Sequence, residues 1–221
     1  MHVLSVNVGT PQALDIAGKP ETTGIHKSGQ SGRVRVTSLG LVGDFVADVE
    51  HHGGPDQAVY VYTRDDLAWW SERLGVELAP GTFGENLTVA GLDASRVRIG
   101  DRLRVGTALL EVTAPRIPCA TLAARMNDLA FVRKFREGGR PGFYTRVIEE
   151  GDVAGGDAAS FEPGAGAHPT VNELYDVWFE KTPDEALLRR ILAAPVAARA
   201  RPWYEEQLAG VVASGARVAT N

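Results

Sequence analysis

The chain has a single cysteine, Cys119, at the end of the run Pro115-Arg116-Ile117-Pro118-Cys119. Prolines on both sides stiffen this loop and hold its side chains in place. Arg116 puts a permanent positive charge near the thiol, and a helix starting at Cys119 would add a partial one. Both favour the thiolate, the form that attacks electrophiles or binds soft metals. The plainer alternative is an inert, buried cysteine packing as a small hydrophobe.

A second group is Gly43-Asp44, Asp48 and His51-His52-Gly53-Gly54-Pro55. Gly53 and Gly54 let backbone N–H groups approach an anion closely. His51 and His52 could contact phosphate, take up a proton or bind metal. The spacing of these carboxylates and histidines fits no standard zinc signature, and a tight hairpin with a satisfied histidine would look the same. The third group is Phe83-Gly84-Glu85-Asn86-Leu87-Thr88. In a regular strand Glu85 shares a face with Phe83, Leu87 and Val89, so its carboxylate is buried and must find partners. A break at Gly84 or a bulge would instead turn it outward. Lys27, Arg33 and Arg35 form, with Arg116, a scattered basic set. Arg33 and Arg35 share a strand face, which is either part of an anion pocket or solvated. The sequence has no dinucleotide fingerprint, phosphate loop, G-x-S-x-G elbow or H-E-x-x-H pair.

The elements that position these groups are mostly short strands. Strand patterns cover Met1–Gly9, Arg33–Thr37, Ala58–Tyr62, Phe83–Val89, Arg102–Val105, Ala108–Thr113, Phe143–Glu149 and Val153–Phe161. Residues 10–32 read as strand and loop pieces. Thr63 caps a helix with stripe Leu67, Trp70 and Leu74, ended by Gly75. Helices are expected at Cys119–Met126 and Asp128–Phe135. Trp69-Trp70 reads as core packing. After the linker Glu162–Ala167 come three short helices. Thr170/Glu173 and Thr182/Glu185 form capping-box patterns, and the third helix runs from Pro202 to Gly210. Residues 211–221 read as frayed. This divides the chain into a β domain, 1–162, and a linker with helical tail, 163–221. Many short strands with inserted helices fit a mostly β barrel better than a βαβ sheet.

Composition narrows the function classes. With 221 residues, 44% hydrophobic and 23% charged, there is material for a real core. Glycine (25) and proline (12) are plentiful, as expected for many turns. The net charge of −5 argues against nucleic acid and polybasic membrane patches as partners. No apolar run suits a membrane span or signal peptide, and one cysteine cannot form an internal disulfide, so a soluble cytoplasmic protein is expected.

Taken in order, Lys27, Gly43-Asp44 with Asp48, His51 to Ala58, Phe83 to Thr88, Ile99-Gly100-Asp101, Pro115 to Cys119, Gly142-Phe143-Tyr144, Gly151 and Gly155-Gly156-Asp157 resemble the MOSC family, named for the C-terminal domain of molybdenum cofactor sulfurase. The tail is similar to the three-helix domain of its YiiM-like bacterial branch. The resemblance implies a β-barrel and a bound molybdenum cofactor (molybdopterin). It makes Cys119 the candidate metal ligand and gives Lys27, Arg116, His51 and His52 to the pterin phosphate, with Gly53 and Gly54 beside them. Asp44, Glu85 and Asn86 would contact the pterin or the groups around it. It also implies reduction of small N-hydroxylated compounds, with a histidine or a carboxylate delivering protons. The electrons would come from a flavin- or NAD(P)H-linked partner reductase, because the chain has no motif for a redox group of its own. A sulfur carrier holding a persulfide on Cys119 is the alternative.

Overall fold

The computed structural model of the protein describes residues 1–218; the side chains of Glu50, His51 and residues 215–218, and all of residues 219–221, lie outside the described residues. The strands are β1 (His2–Gly9), β2 (Gln12–Ile16), β3 (Lys19–Thr23), β4 (Lys27–Gly29), β5 (Val34–Thr37), β6 (Gly40–Leu41), β7 (Val59–Thr63), β8 (Leu87–Ala90), β9 (Arg102–Val105), β10 (Ala108–Pro115), β11 (Phe143–Glu149), β12 (Gly151–Val153) and β13 (Ala159–Glu162). The helices are α1 (Val49–His52), α2 (Arg64–Leu74), α3 (Ala120–Arg125), α4 (Phe131–Gly138), α5 (Val171–Val177), α6 (Glu185–Ala193) and α7 (Arg201–Val218).

Eight strands form one sheet in the order β13-β9-β10-β11-β7-β8-β1-β4. Only β7 and β8 pair in parallel, because α2 carries the chain from the end of one to the start of the other. The Thr63 side chain caps α2 by accepting from the Asp66 N–H at 3.1 Å, and Gly75 closes it in the left-handed conformation. Two small sheets flank the large one, β12-β5-β6 and the β2–β3 hairpin.

The architecture is mixed sheet and helix, and the expected mostly β, closed barrel is not what the described residues form. The cause lies at Ala154–Asp157. The run expected as one strand, Val153–Phe161, turns there with Gly156 at φ +90°, so β12 pairs with β5 and β13 with β9. The start of β1 meets the segment leading into β13 through main-chain bonds, Val3 N–H to Asp157 O (2.9 Å), Gly156 N–H to Val3 O (2.8 Å) and Ala159 N–H to Met1 O (3.2 Å), with an isolated His2–Ala158 bridge. The sheet curls far enough for its edges to touch but does not close into a continuous ladder.

Two apolar clusters hold the elements together. The larger joins sheet residues such as Val6, Leu87, Leu103 and Leu110 to Val171, Leu174, Leu188 and Ile191 of the tail helices. The smaller is aromatic and lies under α2 and α4, where the Trp70 ring stacks on Phe135 at 5.7 Å between centroids. In the tail, Thr170 and Glu173 form the expected capping box on α5. The cap of α6 is Asp184, not Thr182, with its carboxylate accepting from Leu187 N–H. Helix α7 runs past Gly210 to Val218, so the expected helix end at Gly210 is not observed; the last part of the segment expected to fray, 219–221, lies outside the described residues. No helix among the described residues is long and apolar enough to cross a membrane.

Candidate functional site

Three segments cross at glycines. A Cβ on Gly9 would lie 2.1 Å from Gly24 O, and one on Gly24 1.8 Å from Phe45 O. Only glycine permits this approach. The crossing brings the base of the β2–β3 hairpin and the loop before α1 together over one cavity. The hairpin forms a two-stranded sheet of its own and contributes Ile16, Thr22 and Thr23 to the wall. Opposite stand Arg116, Cys119 and Tyr144, and Lys27 and Asn86 also line the cavity.

Strand β10 ends at Pro115, and the next residues lead directly to Cys119, the N-cap of α3. Burial opposes ionisation of the thiol. It is outweighed by a hydrogen bond from His52, by the Arg116 and His52 charges and by the Leu122 N–H, which together lower Cys119 from 9.0 to about 6. The thiol is therefore largely thiolate at neutral pH. His52, at the end of α1, has Nδ1 3.4 Å from the Tyr144 hydroxyl. Burial pushes the Tyr144 phenol up, so it stays protonated, although the Arg116 charge pulls the other way.

Arg116 is 4% exposed. Its guanidinium lies over the Tyr60 ring at 5.4 Å, and its buried Nη1 has no hydrogen-bond partner among the described residues. No carboxylate of the described residues pairs with it; its neighbours are the two tyrosines, the thiol and, at longer range, Glu85.

Lys27 differs. Its Nζ sits 2.5 and 2.6 Å from the two Asp44 oxygens, with both side chains 7% exposed. Desolvation lowers the lysine, and Asp44 works against that shift. Asp44 also accepts from Gly9 N–H (2.7 Å) and Asn86 Nδ2 (2.8 Å). The Asn86 amide oxygen accepts from Tyr60 N–H at 3.1 Å. Lys27, Asp44 and Asn86 are thus one pre-bonded floor that ties β1, β4, β7 and β8 together.

Glu85 is fully buried, as the alternation argument requires, but the expected strand Phe83–Val89 is shortened to β8 because Gly84 adopts φ +80°. The carboxylate faces its own turn. It accepts from Gly81 N–H (2.6 Å), Phe83 N–H (3.1 Å) and the Thr88 hydroxyl (3.0 Å), while desolvation raises its pKa. It does not line the cavity. Neither do Gly53 and Gly54, which link α1 to the turn at Pro55–Gln57. The His51 side chain lies outside the described residues. Arg33 pairs with Asp157, and Arg35 with Glu150 and Asp152, away from this cavity. Among the described residues no three His, Cys, Asp or Glu side chains gather as a metal-binding group.

Sequence reasoning assigned no role to Gln57 or Tyr144, although both sit inside the motifs singled out. Gln57 is 6% exposed, lines the cavity beside Cys119, and its Oε1 has no partner among the described residues. A large amide within a Gly-Gly-Pro turn is a usable signal, because such turns favour small or solvated residues.

Comparison with known proteins matches residues 48–160 to the MOSC domain family. The chain is 44% identical over 154 residues to the uncharacterized protein YflK of Bacillus subtilis (strain 168), covering 70% of each. It is 33% identical over 197 residues to protein YiiM of Escherichia coli (strain K12), covering 87% of this chain and 86% of that one. A protein named reductase from Gibberella moniliformis (strain M3125 / FGSC 7600) is 33% identical over 143 residues, 63% of this chain but only 25% of that longer protein. The crystal structure of YiiM from Geobacillus stearothermophilus superposes with a TM-score of 0.78 at 27% identity, over 94% of this chain and 98% of that one.

Proposed function

The chain belongs to the MOSC domain family, and from that premise we propose that it is a molybdenum-cofactor-dependent oxidoreductase that reduces small N-hydroxylated compounds. The observation that carries this reading is Arg116 beside Cys119. A guanidinium buried without a carboxylate is costly, and its orphaned Nη1 calls for an anion in addition to the thiolate. A pterin bearing a phosphate and a dithiolene is such an anion. One soft thiolate, with no group of three metal-ligating side chains gathered among the described residues, suits a metal that arrives already held by its own sulfurs. The residues present therefore fit the group. When bound, the cofactor would supply the two-electron chemistry that breaks an N–O bond.

The chain's own residues have the remaining work. Cys119 Sγ would be the protein's ligand, and Arg116 would balance negative charge from behind it. Lys27 is neutralised by Asp44, so its part is to fix the floor and to offer an anion what remains of its charge. Reduction of R–NH–OH to R–NH2 and water consumes two electrons and two protons. His52, within reach of both the Cys119 thiol and the Tyr144 hydroxyl, would hold and pass the protons. The electrons would come from a partner reductase, flavin- or NAD(P)H-linked. The reductase name of one relative supports the class of reaction.

The test is metal and pterin analysis of protein purified from a host that makes the cofactor. Near-stoichiometric molybdenum is expected in the parent and its loss in Cys119→Ala. A molybdenum-free parent, from cells in which another molybdoenzyme is loaded, would sink the proposal and leave a sulfur carrier as the reading of the reactive thiol.

A further inference from the structure

Arg116 and Gln57 are 4% and 6% exposed, and both line the cavity beside the β2–β3 hairpin together with Cys119. Each leaves one polar atom unmet among the described residues, and the two atoms are of opposite kinds. Arg116 Nη1 is a charged hydrogen-bond donor, and Gln57 Oε1 is an acceptor. The thiol they accompany is half-buried. Cys119 and Gln57 also line a second cavity, which opens between the sheet and the tail and has Ile117, Pro118, Trp178 and Arg199 in its wall. A small solute can therefore reach the thiol through either cavity. A buried donor and a buried acceptor left unmet both cost free energy, and one small molecule that accepts and donates recovers both costs.

We propose that Cys119 is a site of oxidation by hydrogen peroxide in the cofactor-free protein, with Arg116 Nη1 donating to the peroxide and Gln57 Oε1 accepting from one of its O–H groups. Hydrogen peroxide is neutral, has only two heavy atoms and both donates and accepts. A carboxylate would meet the arginine but has no donor for the amide oxygen. Water meets both atoms as well, but it is no electrophile, so the reactivity of the thiol separates the two. In the step, Cys119 Sγ as thiolate attacks the nearer oxygen. The S–O bond forms as the O–O bond breaks, and sulfur passes two electrons to the peroxide. The products are the sulfenic acid, which keeps the nearer O–H, and hydroxide, which takes a proton from solvent and leaves as water. Negative charge moves from sulfur to the departing oxygen, and a fixed guanidinium N–H stabilises it there. The chain has no second cysteine, so recovery falls to a low-molecular-weight thiol. One such thiol condenses with the sulfenic acid to a mixed disulfide and water, and a second releases Cys119 as the thiol with a small-molecule disulfide as by-product. The inference goes beyond the proposed reduction and concerns the same thiol before a cofactor covers it, since an oxidised sulfur no longer serves as a soft metal ligand.

The experiment compares two reagents on the full chain purified from cells unable to make the pterin. Loss of the thiol is followed by mass spectrometry, with hydrogen peroxide and dimedone in one series and iodoacetamide in the other. Both reagents are attacked by the same thiolate, so the ratio of their second-order rate constants does not depend on how far the thiol is ionised. In the parent this ratio is expected to be at least about tenfold above that of N-acetylcysteine, with the dimedone adduct of the sulfenic acid on Cys119 as the product. Arg116→Met should lower the ratio by roughly tenfold or more, and Gln57→Leu by roughly three- to tenfold. Groups with a merely structural role would slow both reagents together and leave the ratio unchanged. Melting curves establish that each variant is folded, and Gln57→Leu carries the test should Arg116→Met fail to fold. A parent ratio equal to that of N-acetylcysteine, or an unchanged ratio in the folded variants, would overturn the peroxide site. The reductase reading fails separately. A raised ratio in a chain that never loads molybdenum keeps the peroxide site and removes the reductase, whereas a chain that loads molybdenum but shows an ordinary ratio when cofactor-free removes only the peroxide site.

Discussion

Replacing His52 with alanine should change how Cys119 titrates. In the parent the thiol is held at about 6 instead of 9.0, so roughly 90% is thiolate at pH 7, against about 1% for an unperturbed thiol. Burial raises the pKa, so the depression rests on His52, Arg116 and the Leu122 N–H. Losing the His52 hydrogen bond and charge should return about one to two units. At pH 6 the thiolate fraction would then fall from about one half to roughly one tenth or less, and at pH 7 from about 0.9 to between roughly 0.5 and 0.1. A thiolate of higher pKa is intrinsically more nucleophilic by a few-fold, which blunts the change in rate. The midpoint of the rate profile is therefore the quantity to read. The assay is alkylation of cofactor-free protein by iodoacetamide between pH 4.5 and 9.5, followed by mass spectrometry. The parent midpoint is expected near 6, and that of His52→Ala one to two units higher. A parent midpoint near 9, or one unmoved by the substitution, would refute the reasoning. Stability follows the same sign. A thiol depressed in the folded state adds stability that is complete above its unfolded value and fades as pH falls towards about 6. Cys119→Ser should therefore lose its stability difference from the parent on acidification through that window.

Two further substitutions separate scaffold from site. Asp44→Ala leaves Lys27 buried without its counter-ion and strips acceptors from Gly9 and Asn86; urea denaturation should show a loss of about 3–5 kcal/mol, and an effect below about 1 kcal/mol would mean the pair is not buried as described. Glu85→Ala removes the acceptor for three buried donors, costing at least ~3 kcal/mol and lowering Tm by roughly 6–12 °C for a chain of this size. Were Glu85 a cofactor contact instead, Tm would hold and pterin content would fall.

What could be read in the sequence was local. Arg116 and Cys119 are three residues apart in a loop stiffened by proline, so their coupling needed no knowledge of the fold. The burial of Glu85 followed from strand alternation although the strand itself starts later, because Gly84 turns the chain and lets the carboxylate cap its own turn. The Lys27–Asp44–Asn86 floor was not legible as a bonded unit. Its members lie 17 and 42 residues apart and meet only through the pairing of β1 with β4 and β8. For the same reason the sequence listed these residues as separate ligand contacts. Composition marks residues 162–167 as a linker, yet Val171, Leu174 and Ile191 share one apolar cluster with the sheet. An amphipathic face says that something is covered but not what. That Trp178 lines a cavity with the cysteine loop was hidden for that reason too.

The groups that break packing rules are informative because of where they sit. Arg116 Nη1 and Gln57 Oε1 are both buried and unpartnered among the described residues, and both residues line the cavity that Cys119 lines. A methionine and a leucine of similar volume would avoid both desolvation costs, and such replacements are commonly neutral or stabilising. Other buried polar groups nearby, Asp44, Glu85 and Asn86, are bonded to several partners. Trp70 Nε1, Arg125 Nε and Arg146 Nε also lack a hydrogen-bond partner among the described residues, but none of these residues lines either cavity at the thiol, whereas Arg116 and Gln57 do. That distribution is expected where ligands complete the bonding: an anion on the Arg116 side and a hydrogen-bond donor on the Gln57 side.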